Sequence, residues 1–184
     1  MKVLVACEYS GRVRDAFLAR GHDAISCDLL PTDSPGPHYK GDCFELDWGC
    51  YDLVIAHPPC TALAVSGNRH YASTPARQHA AEFVRRMWLQ PVERLVIENP
   101  VGVLNRLVPE LPRPHYVQPW QFGHGETKKT GFWLRGLPPL VPTNIVEGRE
   151  QRIWKLPPSA DRWKIRSTTF QGIADAMAEQ WGSL

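Results

Sequence analysis

Short apolar runs, each closed by glycine or polar residues, set the rhythm of the chain. Residues 2–7 (Lys-Val-Leu-Val-Ala-Cys) form such a run, closed by Glu8, Ser10 and Gly11. An unbroken run of that length reads as a strand buried on both faces, the usual state in a parallel sheet. Val13, Ala16, Phe17 and Ala19 follow at helical spacing until Gly21 stops them. Residues 23–28 (Asp-Ala-Ile-Ser-Cys-Asp) then predict a second strand ending on an acid. Strand, polar-glycine turn, helix and strand make a βαβ unit, which favours a right-handed crossover and parallel pairing.

The same pattern continues. Residues 31–41 are rich in Pro, Gly, Ser and Asp and predict a loop. Residues 52–56 predict a buried strand broken by His57-Pro58-Pro59, and 60–73, without a clear period, a long loop. Thr74 suits an N-cap and Pro75 a first helical position. Ala80, Phe83, Val84, Met87 and Trp88 then mark one face of a helix over 76–90. Residues 94–98 predict a strand ended by Asn99-Pro100, with a short helix at 103–107. After Pro109 the texture changes. Residues 116–118 and 131–134 predict strands in an antiparallel part of the sheet, 136–165 show little period, and 168–181 predict a closing amphipathic helix.

Composition narrows the field. At 184 residues the chain fits one domain with a real core. An apolar fraction of 43% excludes wholesale disorder, and no apolar run approaches a membrane span. The net charge of +2 is low for a domain that lives on phosphate contacts, so nucleic-acid binding would need a local patch. Five cysteines, an odd number without CxxC or Cys/His ligand spacing, argue against a disulfide scaffold and a metal site. With no secretory signal at the start, a reduced cytoplasmic protein is expected.

Candidate chemistry collects where the strands end, because ligands of open α/β sheets bind at the carboxyl edge. Gly11 permits close backbone approach at a helix start, though it also suits a plain tight turn. Asp28 is placed to hydrogen-bond ribose hydroxyls, or is a solvated turn acid. Asp42 suits an adenine amino group but, alone, is more often a turn residue. Cys60, behind two prolines on a rigid loop, is a candidate nucleophile with a lowered pKa. A free Cys is more commonly a small buried hydrophobe, the reading adopted for Cys7 and Cys27; Cys43 and Cys50 stay open. Burial of Glu98 at a strand end would raise its pKa and make it a proton donor near neutrality.

In this order, Tyr9-Ser10-Gly11, Asp28, Gly41-Asp42, Pro58-Pro59-Cys60, Glu98-Asn99, Gln121 with Lys128-Lys129, and Phe170-Gln171-Gly172-Ile173-Ala174-Asp175-Ala176 resemble the DNA (cytosine-5) methyltransferase family. The resemblance implies one domain over 1–184, α/β in class, with a Rossmann-like methyltransferase fold: a mostly parallel sheet with helices on both faces. It implies S-adenosyl-L-methionine as cofactor, held by Glu8, Tyr9, Ser10, Gly11, Asp28, Asp42, Cys43 and Pro58. It makes Cys60 the nucleophile toward C6 of cytosine and Glu98 the group at N3 and the amino group. Pro59, Asn99, Gln121, Lys128, Lys129 and Arg166 would contact the substrate.

Two departures stand out. Arg12, Val13 and Arg14 replace the family's further glycines after Gly11, and no arginine pair follows Gln121, so Lys128 or Lys129 would have to substitute. Lysine lacks the planar fork of arginine. A Pro/Trp/Arg-rich segment, 135–166, occupies the place of a recognition domain; its basic and aromatic residues would track a backbone and stack bases, or merely wrap the surface. Single-stranded DNA, duplex DNA, or a free cytosine nucleotide (dCMP, dCTP or CMP) are therefore the expected substrates. The competing expectation is a non-catalytic, nucleic-acid-binding or regulatory domain. Amino-group methylation fits less well, because Cys60 stands where that chemistry uses an aromatic.

Overall fold

The structure is a computed structural model describing all 184 residues. Seven strands form one sheet: β1 (Lys2–Ala6), β2 (Asp23–Asp28), β3 (His38–Lys40), β4 (Leu53–Ala56), β5 (Arg94–Pro100), β6 (His115–Val117) and β7 (Thr130–Arg135). Their order is β3-β2-β1-β4-β5-β7-β6. The first five are parallel neighbours, and β7 runs antiparallel to both β5 and β6. Helices α1 (Arg12–Leu18), α2 (Asn68–Tyr71), α3 (Pro75–Trp88), α4 (Leu104–Leu107), α5 (Arg152–Lys155), α6 (Arg162–Ser167) and α7 (Gln171–Trp181) complete the chain.

The unbroken apolar runs are explained by helices on both faces. Along β1, Val3 and Val5 join Val13 and Phe17 of α1 and Ala174, Met177 and Trp181 of α7 in one core layer. Leu4 and Ala6, pointing the other way, join Ala81, Val84 and Met87 of α3. A period of two along the strand therefore feeds two cores, and neither face has room for a polar residue. The expected mixed sheet, parallel first and antiparallel after Pro109, is observed.

The differences have local causes. β3 lies inside the expected loop; its three residues pair with Ser26, Cys27 and Asp28, and edge pairing of that length leaves no periodic trace. β5 runs on through Asn99 and Pro100, pairing with Gly131 and Thr130 of β7 after β4 has ended opposite Ile97. A proline is tolerated there because its missing N–H faces no parallel neighbour. Thr74 occupies the N-cap position of α3, but its hydroxyl donates to the Tyr71 carbonyl and makes no cap bond. α7 begins at Gln171, later than expected, and short helices α2, α5 and α6 occupy stretches whose sequence shows no period. No helix is long and apolar enough to cross a membrane.

From β1 the chain steps outward to β2 and β3, then returns to β4 on the other side and proceeds to β5. The carboxyl ends of β1 and β4 flank that reversal, where connections diverge and leave a crevice. The loops after them begin at Cys7 and His57.

Candidate active site at the carboxyl edge of the sheet

A cavity of about 280 Å³ opens beside β1 and β2. Its lining includes Cys7, Asp28, Leu29, Asp42, Cys43 and Pro59, with Ala80 and Phe83 from α3. Asp28 Oδ1 accepts from the Leu30 amide at 2.9 Å, and Asp42 Oδ1 from the Phe44 amide at 3.0 Å. One oxygen of each carboxylate is thus spent on fixing its own turn, and the other has no protein partner. An apolar slot flanked by two carboxylates has the donor set for a nucleoside: acids for hydroxyl and amino groups, apolar walls for the base. The floor carries thiols that stay protonated. Burial holds Cys27 up at about 12. A hydrogen bond with Cys43, then burial, hold Cys7 well above its ordinary value. Cys7 is also the one non-glycine residue with positive φ, 59°, a strained turn at the strand end of the kind that marks functional sites.

The β1 loop is committed to structure. Glu8 is buried, and its carboxylate accepts from the amides of Val13 at 2.8 Å and Arg14 at 3.2 Å, capping α1. Ser10 donates to Glu8 at 3.2 Å. Gly11 sits at φ 73°, and a Cβ there would meet Arg14 Nη2 at 2.4 Å, so its glycine is required by the backbone and by Arg14 rather than by a ligand. Tyr9 is turned toward α6: its hydroxyl donates to the Lys164 carbonyl at 3.1 Å and its ring lies 5.4 Å from Trp163. None of these four residues lines the cavity.

The β4 loop carries Cys60 and is held from three sides. Asn99, fully enclosed, donates to the Pro58 carbonyl at 3.1 Å, tying this loop to the end of β5. Pro58 is thereby buried, and Pro59 is the proline that faces the cavity. Buried Arg77 of α3 donates to the Ala62 carbonyl at 2.9 Å and to Asn68 at 2.8 Å. Backbone bonds join Val65 to Val101 and Val103 to Leu63. The close crossing needs glycine: a Cβ on Gly102 would lie 2.0 Å from the Leu63 carbonyl oxygen.

Cys60, Glu98, Lys128 and Arg166 are brought within electrostatic reach of one another. Burial, then the Glu98 charge, push the Cys60 thiol up, partly offset by Lys128 and Arg166. The expected low-pKa thiolate is therefore not what the free protein holds. Glu98 also departs from expectation. Burial pushes its carboxyl up, but the His57 hydrogen bond and the charges of His57 and Lys128 outweigh this, leaving it below the usual carboxylate range. His57 Nδ1 lies 3.2 Å from Glu98 Oε2, while its buried Nε2 and the Oδ1 of Asn99 have no partner. His57 drew no attention in the sequence beyond its place before Pro58. Its only available signal was an imidazole at a strand end, beside the proposed nucleophile.

The remaining candidates separate. Lys128 Nζ donates to the Arg166 carbonyl at 2.7 Å, and with Glu98, Phe170 and Ile173 it lines a second space of about 10 Å³, room for one water. Gln121 spends its side-chain oxygen on the Gln118 amide at 2.7 Å, closing a turn. Lys129 Nζ lies 4.4 Å from the Tyr116 ring centroid, on its own strand pair. No cluster of His, Cys, Asp or Glu is arranged to hold a metal.

No family model and no curated protein sequence matches the chain. Solved structures do. A protein described as a DNA modification methyltransferase encoded within an E. coli prophage matches with a TM-score of 0.50 at 14% identity, over 86% of this chain and 56% of that one. The Entamoeba histolytica methyltransferase EhMeth matches with a TM-score of 0.51 at 13% identity, over 82% of this chain and 57% of that one. The chain thus spans little more than half the length of these structures. At this identity the likeness is one of fold: a mostly parallel sheet with helices on both faces, a Rossmann-like α/β architecture.

Proposed function

We propose that this protein is an S-adenosylmethionine-dependent methyltransferase that modifies C5 of cytosine in DNA, with Cys60 as covalent nucleophile. The observation that carries the proposal is the convergence of Cys60, Glu98, Lys128 and Arg166 next to a nucleoside-sized cavity, with Pro59 on the cavity wall and Cys60 following it. The fold shared with a DNA modification methyltransferase gives the same direction.

Asp28, Asp42, Leu29, Pro59 and Phe83 would hold the nucleoside part of the cofactor, which supplies an electrophilic methyl group. Cytosine C5 is a poor nucleophile, and the chain's own residues must activate it. The Cys60 sulfur adds to C6, and the electron pair of the C5–C6 double bond moves to C5. Ionised Glu98 accepts a hydrogen bond from the exocyclic amino group and stabilises at N3 the proton that the Cys60 thiol gives up as its sulfur adds, with His57 hydrogen-bonded behind the carboxylate. Lys128 and Arg166 offset the negative charge that accumulates around a thiolate and a carboxylate in one buried site. After methylation, the C5 proton leaves to water, its bonding pair re-forms the C5–C6 double bond as the C6–S bond breaks, and the released Cys60 thiolate takes back the proton held at N3. Because the thiol is protonated in the free protein, substrate binding must favour its ionisation. The space beside Glu98 must also widen to admit a base.

The test is incubation with tritiated S-adenosylmethionine and cytosine-containing single strands, duplexes and dCMP. Tritium should enter polymer, Cys60→Ala should abolish transfer, and cofactor binding should survive that change. An oligonucleotide carrying 5-fluorocytosine should be trapped as a covalent adduct on Cys60, since fluorine cannot leave as the proton does. A Cys60→Ala protein that transfers methyl like wild type defeats the mechanism. Incorporation confined to dCMP would replace the polymer with the mononucleotide as substrate.

A further inference from the structure

We propose that α5 and α6 form a stacking platform for unpaired bases, and that the polymer substrate of this protein is single-stranded. The second half of this proposal rests on the methyltransferase reading; the first does not.

Tryptophan is ordinarily well buried, and Trp48, Trp133 and Trp181 are at most 2% exposed. Trp154 on α5 and Trp163 on α6 are 68% and 49% exposed. They are not on loose chain. α6 is tied down by the Tyr9 hydroxyl on the Lys164 carbonyl, by Lys128 Nζ on the Arg166 carbonyl, and by Lys164 against Asp33 at 3.3 Å. The Tyr9 ring braces Trp163 from beneath. α5 is anchored by Arg152, which meets the buried carboxylate of Glu126 at 2.8 Å. Exposed rings carried on anchored helices suit stacking against bases.

Charge points to a polyanion. Residues 145–166 hold six cations against three acids, a net of +3, whereas the whole chain carries +2. The rest of the molecule is therefore slightly acidic, and its positive potential is concentrated on this segment. Arg152 and Lys164 are spent on the anchoring pairs; Arg149, Lys155, Arg162 and Arg166 have no acidic partner. Cations interleaved with exposed indoles match a strand whose phosphates and bases alternate. Arg166, in the last turn of α6, accepts Lys128 Nζ on its carbonyl at 2.7 Å, and Lys128 lines the space beside Glu98, so the platform runs into the candidate active site.

The strand must be single for a geometric reason. A duplex hides the faces of its bases, so exposed indoles have nothing to stack on except its ends. Extracting a base from a duplex also requires protein to hold the bereaved partner strand. Between β7 and α7 this chain has only the two short helices and their connections.

The measurement is fluorescence anisotropy of a labelled 12-nucleotide strand containing cytosines, its duplex form, and anionic lipid vesicles as a control surface, each at two salt concentrations. Wild type should bind the single strand at least tenfold more tightly than the duplex. The Trp154→Ala/Trp163→Ala double variant should lose at least tenfold for the single strand, with the cooperative fold and nucleoside binding retained, since neither ring belongs to a core. Duplex binding equal to single-strand binding, a double variant that binds like wild type, or a preference for vesicles would each overturn the platform. Tight single-strand binding without methyl transfer would uphold the platform and reject the methyltransferase reading, so the two fail separately.

Discussion

Arg14 offers the most direct access to the energetics that shape the cavity. Its guanidinium is fully buried and reaches a set of partners no other side chain could serve together. Nε donates to Asp15 at 2.8 Å, Nη1 to Ser26 and Thr32 at 3.2 Å each, and Nη2 to the Ser34 carbonyl at 3.0 Å. Two of these acceptors, Thr32 and Ser34, belong to the segment between β2 and β3, whose first residue, Leu29, lines the cavity. In Arg14→Met the apolar stem is kept, but Asp15 loses its counter-charge and buried acceptors lose their donor. Asp15 is partly solvated, so the cost falls on the Ser26, Thr32 and Ser34 acceptors, which lose a charged donor at about 1–3 kcal/mol each, about 3–5 kcal/mol for the set. For a 184-residue chain, with an unfolding entropy near 2.1 cal/mol/K per residue, this lowers Tm by roughly 8–13 °C. Arg14→Lys restores the charge but not the fork, and should recover less than half of the loss. Circular dichroism during heating gives Tm, and calorimetry with a nucleoside cofactor below Tm should show weaker binding in Arg14→Met. A Tm within 2 °C of wild type, or Lys as good as Arg, would show that the 29–37 segment holds its shape without the guanidinium.

Other outcomes can be stated briefly. Asp28→Asn should weaken cofactor binding by about tenfold or more, the worth of one hydrogen bond to a charged group, while leaving 5-fluorocytosine trapping on Cys60 intact at saturating cofactor; calorimetry and mass spectrometry separate the two. With the Cys60 thiol raised, the methyl-transfer rate should climb with pH above neutrality, and a rate that falls over that range would contradict a thiolate nucleophile. Glu98 is held below the usual carboxylate range, so its pairing with His57 stabilises the fold at neutral pH and is lost as pH falls through that lowered value. In His57→Gln burial regains the upper hand, and the loss of stability, about 1–3 kcal/mol, should be largest near neutrality and shrink toward pH 4; a deficit independent of pH would deny the charge pairing. Gly102→Ala pushes a methyl group into the Leu63 carbonyl and should cost about 1–3 kcal/mol and displace the Cys60 loop, seen as lower Tm together with slower trapping.

Part of the candidate site was legible because the proposed chemistry sits where strands stop. Asp28, Cys60 and Glu98 could be singled out, since an apolar run that gives way abruptly marks a carboxyl end whatever the fold's details, whereas Pro59 was named only through the family resemblance. What could not be read was how each side chain is spent. Glu8, Tyr9 and Gly11 look like ligand contacts in one dimension. In three they cap a helix, brace α6 and make way for Arg14. Gln121 likewise closes its own turn. His57 matters only because its neighbour in space is forty-one positions away.

The sequence by itself determined the sheet's parallel half, the two-sided burial of β1, β4 and β5, and the helices α1, α3 and α7, because these follow from apolar runs and period, which are local. It also placed Cys60 and the carboxylates of Asp28 and Glu98 on one edge. Only the tertiary structure decided which proline faces the cavity, that Cys60 is a protonated thiol and Glu98 an ionised acid, and that the positive charge gathers on α5 and α6 beside them. Those properties depend on burial and on charges contributed from distant parts of the chain, and no window of sequence contains both members of such a pair.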